Sequence, residues 1–186
     1  SNSSYVVSYK LTVSGKYSAT ISTRVSTELV GGKLFRFDLV SSRVDPRSST
    51  VYGAGLQSAS AGSQSEIFAR LRDVYGNVAN GAMSSMRAFA NATSLALIGD
   101  TVSDGTLSIK YSMTKSGVYI VSLKAFVGTT NSSLLDLGGS PFKVSVRPAS
   151  PAAETSLVLL PPGVSTGQVG HVFSFGVDTY DRFGNR

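Results

Sequence analysis

Few residues in this chain could do chemistry. His171 is the one histidine and cysteine is absent. No Cys–His pair is therefore available, thiolate metal sites are excluded from this stretch, and zinc would need an unusual set of carboxylates. His171 opens a short alternating segment and reads as a strand-edge surface residue. Asp73 and Asp181 stand in equivalent settings, Asp73-Val74-Tyr75-Gly76-Asn77 and Asp181-Arg182-Phe183-Gly184-Asn185, which raises the question of calcium. Hard cations gather several oxygens at close spacing, and no Asp-x-Asp-x-Asp run occurs. A structural turn fits better: each Asp bonds amides of its own turn, Gly76 and Gly184 supply a positive φ, and Asn77 and Asn185 close the motif. No metal and no cofactor are expected. Asn2, Asn91 and Asn131 each begin an Asn-x-Ser/Thr sequon and are candidate N-glycosylation sites, the last two in predicted loops.

The two Asp turns belong to a larger repetition. They lie 108 residues apart, Tyr9 with Gly15-Lys16-Tyr17 returns 102 residues later as Tyr111 with Gly117-Val118-Tyr119, and Gly31-Gly32 with Phe35 returns as Gly138-Gly139 with Phe142. Echoes at one spacing of about 100 residues imply tandem units the size of an immunoglobulin-like sandwich. Their order implies an excerpt of a longer array. Residues 1–45 would be the C-terminal half of one unit, 48–147 a complete unit, and 151–186 the N-terminal part of a third.

Composition agrees with an all-β chain: 41% hydrophobic, 15% charged, 19 glycines. The net charge of +6 is scattered rather than gathered, so a nucleic-acid partner is not expected. No apolar run approaches the ~20 residues that span a bilayer, so no direct membrane insertion is expected within this excerpt.

Alternation of period two recurs along the chain. Leu107, Ile109, Tyr111 and Met113 share one face; after a turn at Lys115-Ser116-Gly117, Val118 to Lys124 is a second strand expected to pair with the first as a hairpin. Tyr5 to Leu11 and Tyr17 to Ile21 should form the same hairpin in the first unit. Val51 to Leu56 reads as a first strand, Ile67-Ala69-Leu71 as a second, Met86 to Phe89 and Leu95 to Ile98 as short strands, and Phe142-Val144-Val146 as a last strand, as does Phe35-Phe37-Leu39 in the first unit. Phe173-Phe175-Val177-Thr179 begins the third. Seven strands per unit result. Tyr17 and Tyr119, two residues past a glycine at the start of the sixth strand, fit the tyrosine corner, a structural device.

Asp104-Gly105-Thr106, Tyr111, Gly117-x-Tyr119 and Gly139-Ser140-Pro141-Phe142, with Gly53-Ala54-Gly55-Leu56 and Asp73-Val74-Tyr75-Gly76-Asn77 before them, together resemble filamin-type immunoglobulin repeats. The resemblance covers the whole chain and departs at Lys33-Leu34, where Ser-Pro is usual, and at Leu160-Pro161-Pro162-Gly163. It implies spacing, cross-linking and docking of partner proteins rather than catalysis. Partner segments would add as a β-strand beside the third and fourth strands, here Met86, Arg87, Ala88, Phe89, Leu95, Ala96, Leu97 and Ile98; half of these also read as plain core. The expected partners are other proteins and neighbouring repeats of the same chain. Such repeats occur in plant and algal gamete-surface proteins, and the sequons favour a cell-surface adhesion array. A cytoskeletal or ciliary scaffold is one alternative; an accessory array of an enzyme whose catalytic domain lies elsewhere is another.

Overall fold

The computed structural model describes residues 6–22, 29–32, 34–79, 86–127, 133–160 and 167–186. The strands are β1 (Gly15–Ala19), β2 (Phe35–Leu39), β3 (Thr50–Tyr52), β4 (Ser58–Ser60), β5 (Gln64–Arg70), β6 (Met86–Ala90), β7 (Thr93–Leu95), β8 (Ile98–Ser103), β9 (Thr106–Ser112), β10 (Gly117–Val127), β11 (Ser133–Asp136), β12 (Phe142–Arg147), β13 (Leu157–Leu159) and β14 (Gly176–Asp178). The chain is all-β, and strands β3 to β12 form one immunoglobulin-like sandwich. One sheet runs β3-β5-β9-β8; the other runs β4-β12-β10-β6-β7, with β11 also on β10. Two-stranded sheets, β1-β2 and β13-β14, precede and follow it in the chain.

Alternation sets the core. Ile67 and Ala69 of β5, Leu107, Ile109 and Tyr111 of β9, Met86 and Ala88 of β6, Val121, Leu123 and Ala125 of β10, and Val144 and Val146 of β12 all point inward and are buried. Burial of each large apolar side chain contributes roughly 1.5–3 kcal/mol. The Tyr111 hydroxyl reaches the Gly55 carbonyl inside the sandwich, so its polar end is satisfied. Burial pushes that phenol's pKa up.

The expected hairpin of residues 105–124 does not form. β9 and β10 lie in opposite sheets, and the four-residue connection bridges the sandwich. Near the start of the chain β1 pairs with β2, Tyr17 opposite Phe37, rather than with the segment before it. Alternation tells inside from outside, but a strand that returns in the same sheet and one that crosses the core have the same in-out pattern. The same limit explains three other departures. Leu95 to Ile98 is no single strand: β7 pairs with β6, β8 with β9, and the chain changes sheets between them. The first strand stops at Tyr52, passes a 3-10 turn at Ala54–Leu56 and re-forms as β4, parallel to β12 in the other sheet. Gly55 permits that crossing, because a Cβ there would lie 2.7 Å from the Glu66 carbonyl oxygen. Phe173 and Phe175 lie outside β14, whose three residues face β13. The Ser140–Pro141 peptide is cis.

A two-residue turn joins β6 to β7, with Asn91 at φ 47° and Ala92 at φ 66°. Such a hairpin turn needs left-handed backbone at both places, which Asn tolerates and Ala resists. Replacing Ala92 by Gly should stabilise the fold by about 1 kcal/mol. A chemical-denaturation curve checks this: the midpoint should rise with the slope unchanged.

Candidate functional site

The two Asp-x-x-Gly-Asn segments, 73–77 and 181–185, are turns closed by their own Asp. Gly76 (φ 86°) and Gly184 (φ 74°) take the left-handed conformation that the turn demands. Asp73 Oδ1 accepts the amides of Tyr75 and Asn77, both at 2.9 Å. Asp181 Oδ1 accepts those of Phe183 and Asn185, also at 2.9 Å.

Each motif then reaches out of its own unit. Asp73 Oδ2 accepts the Ser42 amide in the preceding linker at 2.9 Å, and Asp181 Oδ2 accepts the Ala149 amide at 2.8 Å. The Asn77 side chain takes the Ser14 amide on Oδ1 (2.9 Å) and donates from Nδ2 to the Thr12 carbonyl (2.8 Å) and to Asp73 Oδ2 (2.9 Å). Asn185 repeats all three, to Ser116 (2.9 Å), Thr114 (2.8 Å) and Asp181 (2.8 Å). Both Nδ2 hydrogens are therefore used. The Asp and Asn side chains of one unit thus hold the linker and a loop of the unit before it, and the two joints agree to within 0.1 Å bond for bond.

The loop that receives each Asn is held by the tyrosines picked out from the sequence. The Tyr17 hydroxyl donates to the Val13 carbonyl at 2.7 Å, and the Tyr119 hydroxyl to the Lys115 carbonyl at 3.0 Å. Each fixes the loop residue that lies between the Thr carbonyl and the Ser amide gripped by Asn.

Around the second joint, Phe183 packs against the core of the middle sandwich. Its ring fills the space where a Gly62 side chain would stand. Lys115 Nζ bonds the Phe183 carbonyl at 2.6 Å, and the Arg182 guanidinium lies 4.8 Å from the Phe183 ring centre. At the first joint Tyr75 holds the matching position, with Lys10 Nζ 5.8 Å from its ring centre.

Asp73 and Asp181 are completely buried. Burial pushes the Asp181 carboxyl up, but hydrogen bonds from the Asn185 side chain and the Asn185, Ala149 and Phe183 amides outweigh it, taking the pKa from 3.8 down to about 2. For Asp73, burial is likewise outweighed by the Asn77 side chain and the Ser42, Asn77 and Tyr75 amides, and its pKa is lowered. Four donors around one carboxylate keep it ionised in the joint.

The reach of Asn77 and Asn185 beyond their turns was missed in the sequence. The one signal for it was an Asn kept after the Gly in both copies, where the Gly alone satisfies the turn. Of the strand-addition residues, Met86 and Ala88 are core, whereas Ile98 is exposed. β7 already pairs with β6 opposite Ala88 to Ala90, so an added strand there would meet β7 first. Asn91 is exposed; Asn2 and Asn131 lie outside the described residues. His171 is exposed. Among the described residues no three His, Asp or Glu side chains gather where they could hold a metal ion, and no helix is long and apolar enough to cross a membrane.

No protein-family model matches the chain, and no curated protein matches it in sequence. Solved structures do resemble it. FdeC, an adhesin of Escherichia coli, is 14% identical over 92% of this chain and 52% of its own, with a TM-score of 0.63. InvD of Yersinia pseudotuberculosis is 19% identical over 93% and 52%, with a TM-score of 0.56. The Lin-41 filamin domain is 18% identical over 57% and 98%, with a TM-score of 0.45. The chain spans about half the length of the FdeC and InvD structures, and at such identities the likeness is one of fold.

Asn185→Ala leaves the Ser116 amide and one oxygen of Asp181 short of partners and should weaken the second joint by roughly 2 kcal/mol. Small-angle scattering should then show a broader range of overall lengths, while the melting of the middle sandwich changes little. Because the hydrogen bonds from its own turn, Asn185 and the linker Ala149 amide lower the Asp181 pKa, the stabilisation they give is fully present above pH 3.8 and is lost as pH falls through about 2. A scattering series from pH 5 to pH 2 should therefore show the joint loosening across that window in the wild type, and a flatter profile in Asp181→Asn.

Proposed function

We propose that this chain is a non-catalytic spacer and protein-interaction array that works at a cell surface. The observation that carries this reading is the joint made twice with the same bonds. Flexible linkers leave neighbouring domains to swing; here polar contacts around a buried carboxylate hold each piece to the one before, and at the second joint the Phe183 ring is seated as well. A series of such joints makes a rod of defined step, which suits holding a binding surface away from a membrane. The adhesin among the matching structures supports the same setting. Contacts with other proteins would use the open sheet edges, β7 and β8, where unpaired backbone groups can accept an added strand.

Surface labelling of the native full-length protein tests the setting. Intact cells are treated with a membrane-impermeant amine reagent, and peptides bearing the exposed Lys110 and Lys143 are examined by mass spectrometry. Modification on intact cells is the expected result. Modification only after lysis would sink the surface reading and favour an intracellular scaffold.

A further inference from the structure

The outer face of the β10 sheet carries a trough beside a glycosylation sequon. The cavity, of about 430 Å³, is lined by Phe89, Asn91, Ala92, Ile120, Ser122, Lys124 and Leu134. Its apolar floor is open to solvent: Ile120 is 48% exposed, and Phe89 and Leu134 are partly so. Asn91-Ala92-Thr93 forms the tip of the β6–β7 hairpin at the rim of this trough. Asn91 is fixed against β10 from both sides of its own peptide: its amide donates to the Ile120 carbonyl at 3.0 Å, and its Oδ1 accepts the Ile120 amide at 2.8 Å. That second bond orients the side-chain amide and engages its oxygen, leaving the nitrogen, the atom that is glycosylated, out of the contact.

We propose that Asn91 carries an N-linked glycan whose first sugar lies in this trough, its C–H face against Phe89 and Ile120 and its polar groups toward Ser122 and Lys124. The proposal rests on the cell-surface reading, since the donor is met in the secretory pathway. In the transfer from a lipid diphosphate-linked oligosaccharide, a bond forms between the sugar C1 and Asn91 Nδ2. The C1–O bond to the diphosphate breaks, the diphosphate leaves with its electron pair, and Nδ2 loses one proton to a base. A two-residue turn presents Asn91 without unpairing a strand. The sugar then covers an apolar surface that would otherwise face water, as a pyranose does on an aromatic ring. The covering group is thus supplied by the hairpin that forms the rim.

The test uses the full-length protein from its own cells, with peptide mass spectrometry across residues 89–93 and thermal melts of variants made in the same cells. Thr93→Ala removes the sequon while keeping both Asn91–Ile120 bonds. The expected results are an occupied Asn91, a melting temperature lowered by about 2 °C or more by Thr93→Ala when Phe89 is present, and no such loss in the Phe89→Ala background. Phe89→Leu, which keeps apolar bulk but removes the ring, serves the same cycle if Phe89→Ala does not fold. An equal loss in both backgrounds would overturn the seat on Phe89. A bare Asn91 in protein that labels on intact cells would overturn the glycan and leave the surface reading standing. A bare Asn91 in protein labelled only after lysis would overturn both.

Discussion

A carboxylate removed from water has to be surrounded by donors, and that requirement organises both joints of this protein. Asp73 and Asp181 are buried at the two joints, and an unpaired charge there would cost more than the contact could return. Each is met by two amides of its own turn, one linker amide and one Asn side chain. The linker donor ties the entry of the chain to the turn. The Asn, already held by the Asp, has its remaining hydrogen and its oxygen directed at the neighbouring loop. Removing any one donor leaves a buried group unsatisfied, so the set acts as a unit.

The rest of the middle sandwich presents partners to the Asn185 side chain that Asp181 holds. Its tyrosine, near the start of β10, pins the loop that crosses between the sheets, and that loop holds the carbonyl and amide which receive Asn185. A crossing loop was needed because β9 and β10 belong to different sheets; a tight in-plane hairpin would offer no such ledge. The turn before β5 contributes the place for Phe183, left open by the absence of a side chain at Gly62. Inward-facing strand residues make the core, and the loops at one end of the sandwich make the joint.

How much of this could be read in the sequence differs by element. The core faces of β5, β9 and β12 followed from alternation, because inward and outward residues differ in polarity. The Asp and Gly of the turn followed from local geometry, which depends on five consecutive residues. The sheet to which a strand belongs did not follow: β7, β8 and the split between β3 and β4 depend on close approaches such as Gly55 to the Glu66 carbonyl, between residues distant in the chain. The joint was half legible. Its residues stood out as a repeated motif, but the partners of Asn77 and Asn185 lie 63 to 71 residues away, and no local pattern points to them.

The sequence by itself determined that the chain is all-β, and that an Asp, a Gly and an Asn recur in the same turn motif 108 residues apart. Periodicity and turn preference are properties of neighbouring residues, and they need no fold to be expressed. Only the tertiary structure decided what the repeated turn is for. The donors and acceptors that Asn77 and Asn185 engage are backbone groups of Thr12, Ser14, Thr114 and Ser116. Every residue carries such groups, so nothing in their side chains marks them, and they become a binding site only when the sandwich brings them to one end.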